Sequence, residues 1–355
     1  MKKDKSGKPA PSEPDRQDEQ DGYDGTDDTL RTDSVDKNES RNEPARPQKE
    51  RDLSNRPDGY KTMGVSGESI EHPSDLTKVP GRIIERRMVR VLKSVALEKD
   101  SIVNCDETWC KVRKYDHYKK CYIWVLVNKA QKTAIFFYEN GARGREVLTD
   151  FLGDAELKSI MSDGYNAYVF IGDELKSAQF KDTVHQVCMS HAKNKFVKAS
   201  NQGGEPTAER FSNILKEFFM RERKCDEAGL TPEERLRERQ SLETKELLIE
   251  LRSLLDSEQS KDSEFRSQYY TEALNYLNRF WKEIFAYLDD GELPIDNNLA
   301  ERTIRKLTTQ RNNSLHYGSG AGAKMAATYH SVIGTVKLHG RSCLELHRNF
   351  FQKYL

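Results

Sequence analysis

Ser101-Ile102-Val103-Asn104-Cys105-Asp106-Glu107-Thr108-Trp109-Cys110-Lys111-Val112 decides how this chain is read. Its β-branched and aromatic residues predict a strand, and Asp106 falls in the middle of it. Tyr115 to His117 make a turn. Cys121-Tyr122-Ile123-Trp124-Val125-Leu126-Val127 is a strongly apolar second strand, and Thr133 to Tyr138 is a third, reached through a short polar loop. Three consecutive strands with short links predict an antiparallel meander. Outward from there, Arg143 to Leu152 carries apolar residues at 147, 148, 151 and 152, which is helical spacing. Ser159 to Gly164 predicts a fourth strand that ends in Asp163. A short helix is expected near Glu174 to Phe180, a fifth strand over Val184 to Cys188, and a basic helix over Ala192 to Ala199. This order predicts an α/β layered fold whose crossovers are right-handed.

A long helical segment follows, from Thr207 to about Asp289. Thr231-Pro232-Glu233-Glu234 is a capping box with proline at the first helical position. Leu247, Leu248, Leu251, Leu254 and Leu255 form one apolar stripe; Leu274, Leu277, Trp281, Ile284, Phe285 and Leu288 form another. Both read as core of a helical subdomain inserted into the α/β layers. Pro294 and Asp296 then read as a helix entry with Asp296 as cap, and the chain runs without Gly or Pro from Asn297 to Tyr317. Gly318, Gly320 and Gly322 predict a flexible loop, and Met325, Tyr329, Val332 and Val336 the apolar stripe of a last amphipathic helix.

The bulk numbers narrow the classes. A length of 355 residues suggests one to three domains. Lys+Arg and Asp+Glu both number 58. The first sixty residues hold 12 basic and 16 acidic side chains, which leaves 46 and 42 for the rest, a mild basic excess. Residues 1–60 have almost no large apolar side chains and are expected to be a disordered tail. Residues 61–99 read as a short basic linker, with Arg82 to Leu92 as a strand or a short helix. The core is expected over 100–206 and 291–355, interrupted by the helical insertion at 207–290. Six scattered cysteines suit reduced thiols, and no signal peptide or run of about 18 apolar residues appears, so a cytoplasmic protein is expected.

The chemistry lies in three acids. Asp106 sits mid-strand among apolar residues, where an ionised carboxylate is costly unless it is paired or binds a cation. Asp163 closes another strand beside Gly164. Glu301 shares a helical face with Asn297 and Arg305, four residues away on either side. Three converging carboxylates are hard oxygen ligands of the kind Mg²⁺ takes, and two ions about 3.5–4 Å apart can act on a phosphodiester. Lys193, Lys195 and Lys198 follow the fifth strand, and Arg302 and Arg305 flank Glu301. These five are expected to line one basic surface that binds DNA phosphates beside the acids. For Cys188 and His191, zinc, a histidine near the acids and plain packing stay open. Cys105 and Cys110 make a poor second ligand pair, because five residues along a strand place them on opposite faces.

Cys105-Asp106-Glu107-Thr108-Trp109, Ser162-Asp163-Gly164-Tyr165-Asn166-Ala167-Tyr168, Cys188-Met189-Ser190-His191-Ala192 and Pro294-Ile295-Asp296-Asn297-Asn298-Leu299-Ala300-Glu301-Arg302 occur in that order. Together they resemble the catalytic domain of the insertion sequence 66 family of bacterial transposases, from about Asp100 to the C-terminus. The resemblance implies an RNase H-like mixed sheet with flanking helices and an Asp-Asp-Glu triad at Asp106, Asp163 and Glu301 that uses Mg²⁺ or Mn²⁺. It implies a role beside the triad for Cys188 and His191, which match a Cys-x-x-His signature, with Asn297 as further support. It implies DNA, as element ends and target, with a homo-oligomer and small accessory proteins of the element as further partners. The departure is at the N-terminus: no helix-turn-helix pattern and no Cys-x-x-Cys precede the first strand. Two rival readings follow, a core defective in transposition and a non-enzymatic DNA-binding protein of the same fold.

Overall fold

The computed structural model describes residues 80–342 except 115, 116, 263 and 265. The expected tail at 1–60 and most of the turn at Tyr115 to His117 lie outside the described residues. Five strands form one mixed sheet in the order β3-β2-β1-β4-β5. β1 (Ile102–Arg113), β2 (Tyr118–Asn128) and β3 (Thr133–Phe137) form the antiparallel meander. β4 (Ser159–Ser162) and β5 (Val184–Val187) run parallel to β1. Alternation along β1 sets the layers. Val103 and Cys105 face one apolar cluster with Trp124, Leu148, Tyr168 and Phe180, while Cys110 and Val112 face another with Ile123, Ala300 and Leu307.

The first face is covered by α1 (Pro80–Ala96), α2 (Arg145–Leu152) and the turns after β4. α1 occupies 17 residues of the segment 61–99 read as a linker. Its last turn is part of the fold: Ala96 is fully buried, and Asn128 Nδ2 donates to the Ala96 carbonyl at 3.1 Å. The short helix expected near Glu174 is instead a set of turns ending in a 3₁₀ turn at Ala178–Phe180. Leu175 is 99% exposed, so no apolar stripe holds a helix there. The Asp173 carboxylate takes the backbone N–H of Leu175 and Lys176, a competing local bond.

After β5 the chain enters six helices: α3 (Met189–Gly203), α4 (Pro206–Glu227), α5 (Pro232–Arg239), α6 (Leu242–Ser260), α7 (Gln268–Arg279) and α8 (Trp281–Phe285). They share a core built around Phe196, Phe211, Leu251, Leu255, Tyr270 and Leu277. The Thr231 capping box is formed on both sides.

The second face is covered by α9 (Asn298–Ser314) and α10 (Gly320–Leu338). Gly320 and Gly322 begin α10 and make no loop, because Ser319 Oγ accepts the Gly322 N–H at 3.1 Å and starts the helix. The buried face of α10 also differs from its apolar stripe. Met325 and Tyr329 are exposed, while Ala323, Ala327, Ser331 and Gly334 are buried. Small residues let the helix lie close on edge strand β3. There Ser331 Oγ accepts the Phe136 N–H at 2.8 Å and Thr335 Oγ1 accepts the Ala134 N–H at 3.1 Å. These N–H groups point away from β2, so the helix satisfies the open edge of the sheet.

Candidate active site

Period-two alternation sends the Asp106 side chain to the α9 face of β1 and that of Glu107 to the opposite one. The Asp106 carboxyl is pushed well above the usual carboxylate range, first by burial and then by the charges of Glu107, Asp163 and Glu301. Against this works the Glu107 N–H, donated to Oδ1 at 2.8 Å. The end of β4 and the first turn of α9 therefore bring Asp163 and Glu301 close enough for their charges to act on Asp106 of β1. No cation is among the largest influences on Asp106.

Each acid is held by its own element. β4 stops at Ser162, and Gly164 takes a φ of +85°, a left-handed turn that suits glycine. Asp163 Oδ1 accepts the Tyr165 N–H at 2.8 Å across that turn. The Asp163 carbonyl accepts the Tyr276 hydroxyl at 2.6 Å, so α7 pins this loop. Glu301 rides on α9, whose N-cap is Asn297, not Asp296. The Asp296 carboxylate still takes the Asn298 N–H at 3.1 Å.

Asn297 is fully buried and joins three elements. Its Nδ2 donates to the Cys105 carbonyl at 2.7 Å, and its Oδ1 accepts Asn104 Nδ2 at 2.9 Å. Its backbone N–H donates to Cys188 Sγ at 3.2 Å. Burial pushes the Cys188 thiol up to about 12, so the sulfur is a neutral acceptor here. Cys188, His191 and Glu301 offer ligand atoms within 4.8 Å of one another. His191 Nδ1 lies 3.7 Å from Glu301 Oε1 and is buried without a hydrogen-bond partner. Three donors fall one short of a closed structural zinc site. Asp163 and Glu301 both act on Asp106, whereas the group whose ligand atoms lie within 4.8 Å among the described residues is Cys188, His191 and Glu301.

Glu107 was not singled out in the sequence. Its side chain is 1% exposed, with Oε1 taking Arg143 Nε at 3.0 Å and Oε2 taking the Tyr168 hydroxyl at 2.8 Å. Burial and the Asp163 charge nonetheless raise its carboxyl to about 7 against the pull of Arg143. The alternation of Asp106 and Glu107 is the sequence signal that separates their roles.

The five basic residues do not share one surface. Lys193 Nζ lies 5.3 Å from the Phe219 ring on α4, whereas Lys195 and Lys198 lie 5.0 and 4.6 Å from Tyr276 and Tyr269 on α7. Two and five residues of helical rotation send them to opposite flanks of α3. Arg302 lines a cleft of about 280 Å³ between α9 and α10 with Lys306, His330 and Lys337, and Arg305 is exposed on α9. Among the described residues, no helix is long and apolar enough to cross a membrane.

Comparison with known proteins adds the family. The model described as "Transposase IS66 family" matches residues 84–325. An uncharacterized protein of Sinorhizobium fredii, y4jD, is 30% identical over 179 residues, 50% of this chain and 34% of its own. A second from the same organism, y4hP, is 27% identical over 253 residues, 66% of this chain and 44% of its own. The chain thus spans less than half the length of the curated relatives it matches.

Proposed function

The chain belongs to the IS66 family of transposases, and from that premise we propose that it is the DNA-cutting and strand-transferring core of a bacterial insertion sequence. One observation supports the reading: the charges of Asp163 and Glu301 are both among the largest influences on the Asp106 carboxyl, and no cation is. On this reading the fold is RNase H-like, with residues 100–206 and 291–355 as the core and 207–290 as an insertion. The three carboxylates would hold Mg²⁺ or Mn²⁺. When bound, such ions supply Lewis-acid polarisation of a phosphodiester and favour an ionised attacking oxygen.

The chain's own residues do the positioning. Asn297 fixes the start of α9 against β1, so Glu301 keeps its place opposite Asp106. Tyr276 and the Gly164 turn fix the Asp163 loop. His191 stands against Glu301 and steadies its carboxylate. DNA, as element ends and target, is the substrate this arrangement serves.

The test is nicking of a DNA that carries the element's ends, with and without Mg²⁺, by the chain and by Glu301→Gln. The expected result is Mg²⁺-dependent strand cleavage that the variant loses while it still binds DNA, since the change removes a ligand and no phosphate contact. Salt-sensitive binding with no cleavage by the unaltered chain would make it a non-enzymatic DNA-binding protein and overturn the reading.

A further inference from the structure

β1 and β2 outrun the rest of the sheet. β4 pairs with β1 only through Ile102–Asn104, and β3 pairs with β2 only through Trp124–Asn128. Beyond them, residues 109–113 and 118–122 form a two-stranded ribbon, bridged at Val112 by Tyr317. One side of this ribbon is closed: Cys110, Val112, Cys121 and Ile123 are buried with α9. The other side is a ladder of directly opposed pairs, Trp109 with Tyr122, Lys111 with Lys120, and Arg113 with Tyr118. Lys111, Arg113, Lys120 and Tyr118 are exposed, and Trp109 and Tyr122 are half-buried.

Two features of this face ask for an anion. Like charges directly opposed across strands destabilise a pair, yet Lys111 faces Lys120. Among the described residues neither these lysines nor Arg113 has a carboxylate partner. The cations also alternate with rings. Lys120 Nζ lies 5.9 Å from both the Trp109 and Tyr122 rings, and Tyr118 is 54% exposed. Cations interleaved with aromatic faces suit a strand whose phosphates are neutralised and whose unpaired bases stack.

We propose that the open face of the β1–β2 ribbon binds unpaired DNA, with Lys111, Arg113 and Lys120 on phosphates and Tyr118 beneath a base. The inference rests on the DNA-cutting reading above for the identity of the nucleic acid. The open face is the Glu107 face of β1: Lys111 lies four residues beyond Glu107 on the same strand, about 13 Å at the usual strand rise.

The experiment measures binding of the full chain to a single-stranded oligonucleotide and to a duplex of the same sequence, over a range of salt. The chain is expected to prefer the single strand. The Lys111→Ala/Lys120→Ala variant should lower the log–log salt slope for single strands by about 1.4, two phosphates at roughly 0.7 each. Its melting temperature should hold or rise, since a like-charge pair is gone. Tyr118→Phe should keep single-strand affinity, and Tyr118→Ala should lose it. An unchanged slope in the double variant, or equal dependence on these residues for duplex, would overturn the inference. Cleavage tested in parallel separates the two claims: nicking that persists with an unchanged slope sinks the ribbon alone, and ribbon-dependent binding without nicking sinks the catalytic reading alone.

Discussion

The helical insertion and the acidic end of the sheet both bury carboxylates, and they treat them in opposite ways. In the insertion, Glu222 accepts Arg235 Nη1 at 2.8 Å and Arg239 Nε and Nη2 at 2.8 and 2.7 Å. Arg239 spends its remaining donors on the carbonyls of Tyr287, Asp290 and Leu293. Glu258 is likewise held by Tyr270 and Lys261. At the sheet end, Asp106 has one backbone N–H and three acidic neighbours. Charge closed inward marks a group that holds the fold. Charge left open marks a group kept for something the chain does not itself contain.

The largest test of that contrast is Arg239→Ala. It leaves Glu222 buried with half its partners, and breaking such a pair costs about 3–5 kcal/mol. Denaturant unfolding should show a loss of that size; a loss below about 1 kcal/mol would mean that the insertion is no better balanced than the acidic end. A second test uses the buried ionisable group of β5. Burial lowers His185 from 6.5 to about 4, and its ring meets the Ser162 hydroxyl at 3.0 Å. The depressed value means that its stabilisation is whole above 6.5 and is lost as pH falls through 4. At about 1.36 kcal/mol per unit, this is roughly 3 kcal/mol. Thermal unfolding of His185→Gln should lose less stability than the unaltered chain across that window.

The third test reads the acids without DNA. Mg²⁺ at a hundred times its Kd should stabilise the chain by about 2.7 kcal/mol, and Asp106→Asn should erase most of that response. The same variant, free of a repelling charge, should melt higher than the unaltered chain in the absence of Mg²⁺. A lower melting point would show that Asp106 is paired after all and would remove the contrast. The smallest effect is at the sheet edge. Ser331→Ala leaves the Phe136 N–H unpaired and should cost about 1–3 kcal/mol, without altering the response to Mg²⁺.

Much of this was legible in the chain. The meander shows in the apolar runs at 121–127 and 133–138, and the helix carrying Glu301 in the unbroken stretch after Asn297. What stayed hidden depends on partners far away in sequence. Tyr276 reaches Asp163 across 113 residues, and Asn297 reaches Cys105 across 192. Lys193, Lys195 and Lys198 look alike in sequence, but the rings of two different helices draw them apart. The stripe of α10 misled for a physical reason: contact with a strand edge selects small side chains and hydroxyls, and large apolar residues are left outside.

That helix carries a consequence for shortened genes. A premature stop codon between residues 302 and 319 would delete α10 and strip Ser331 and Thr335 from β3. The bare strand would then offer its free N–H and C=O groups to the same strand of another molecule. Such a product should collect in inclusion bodies, although every acid of the candidate site would still be encoded.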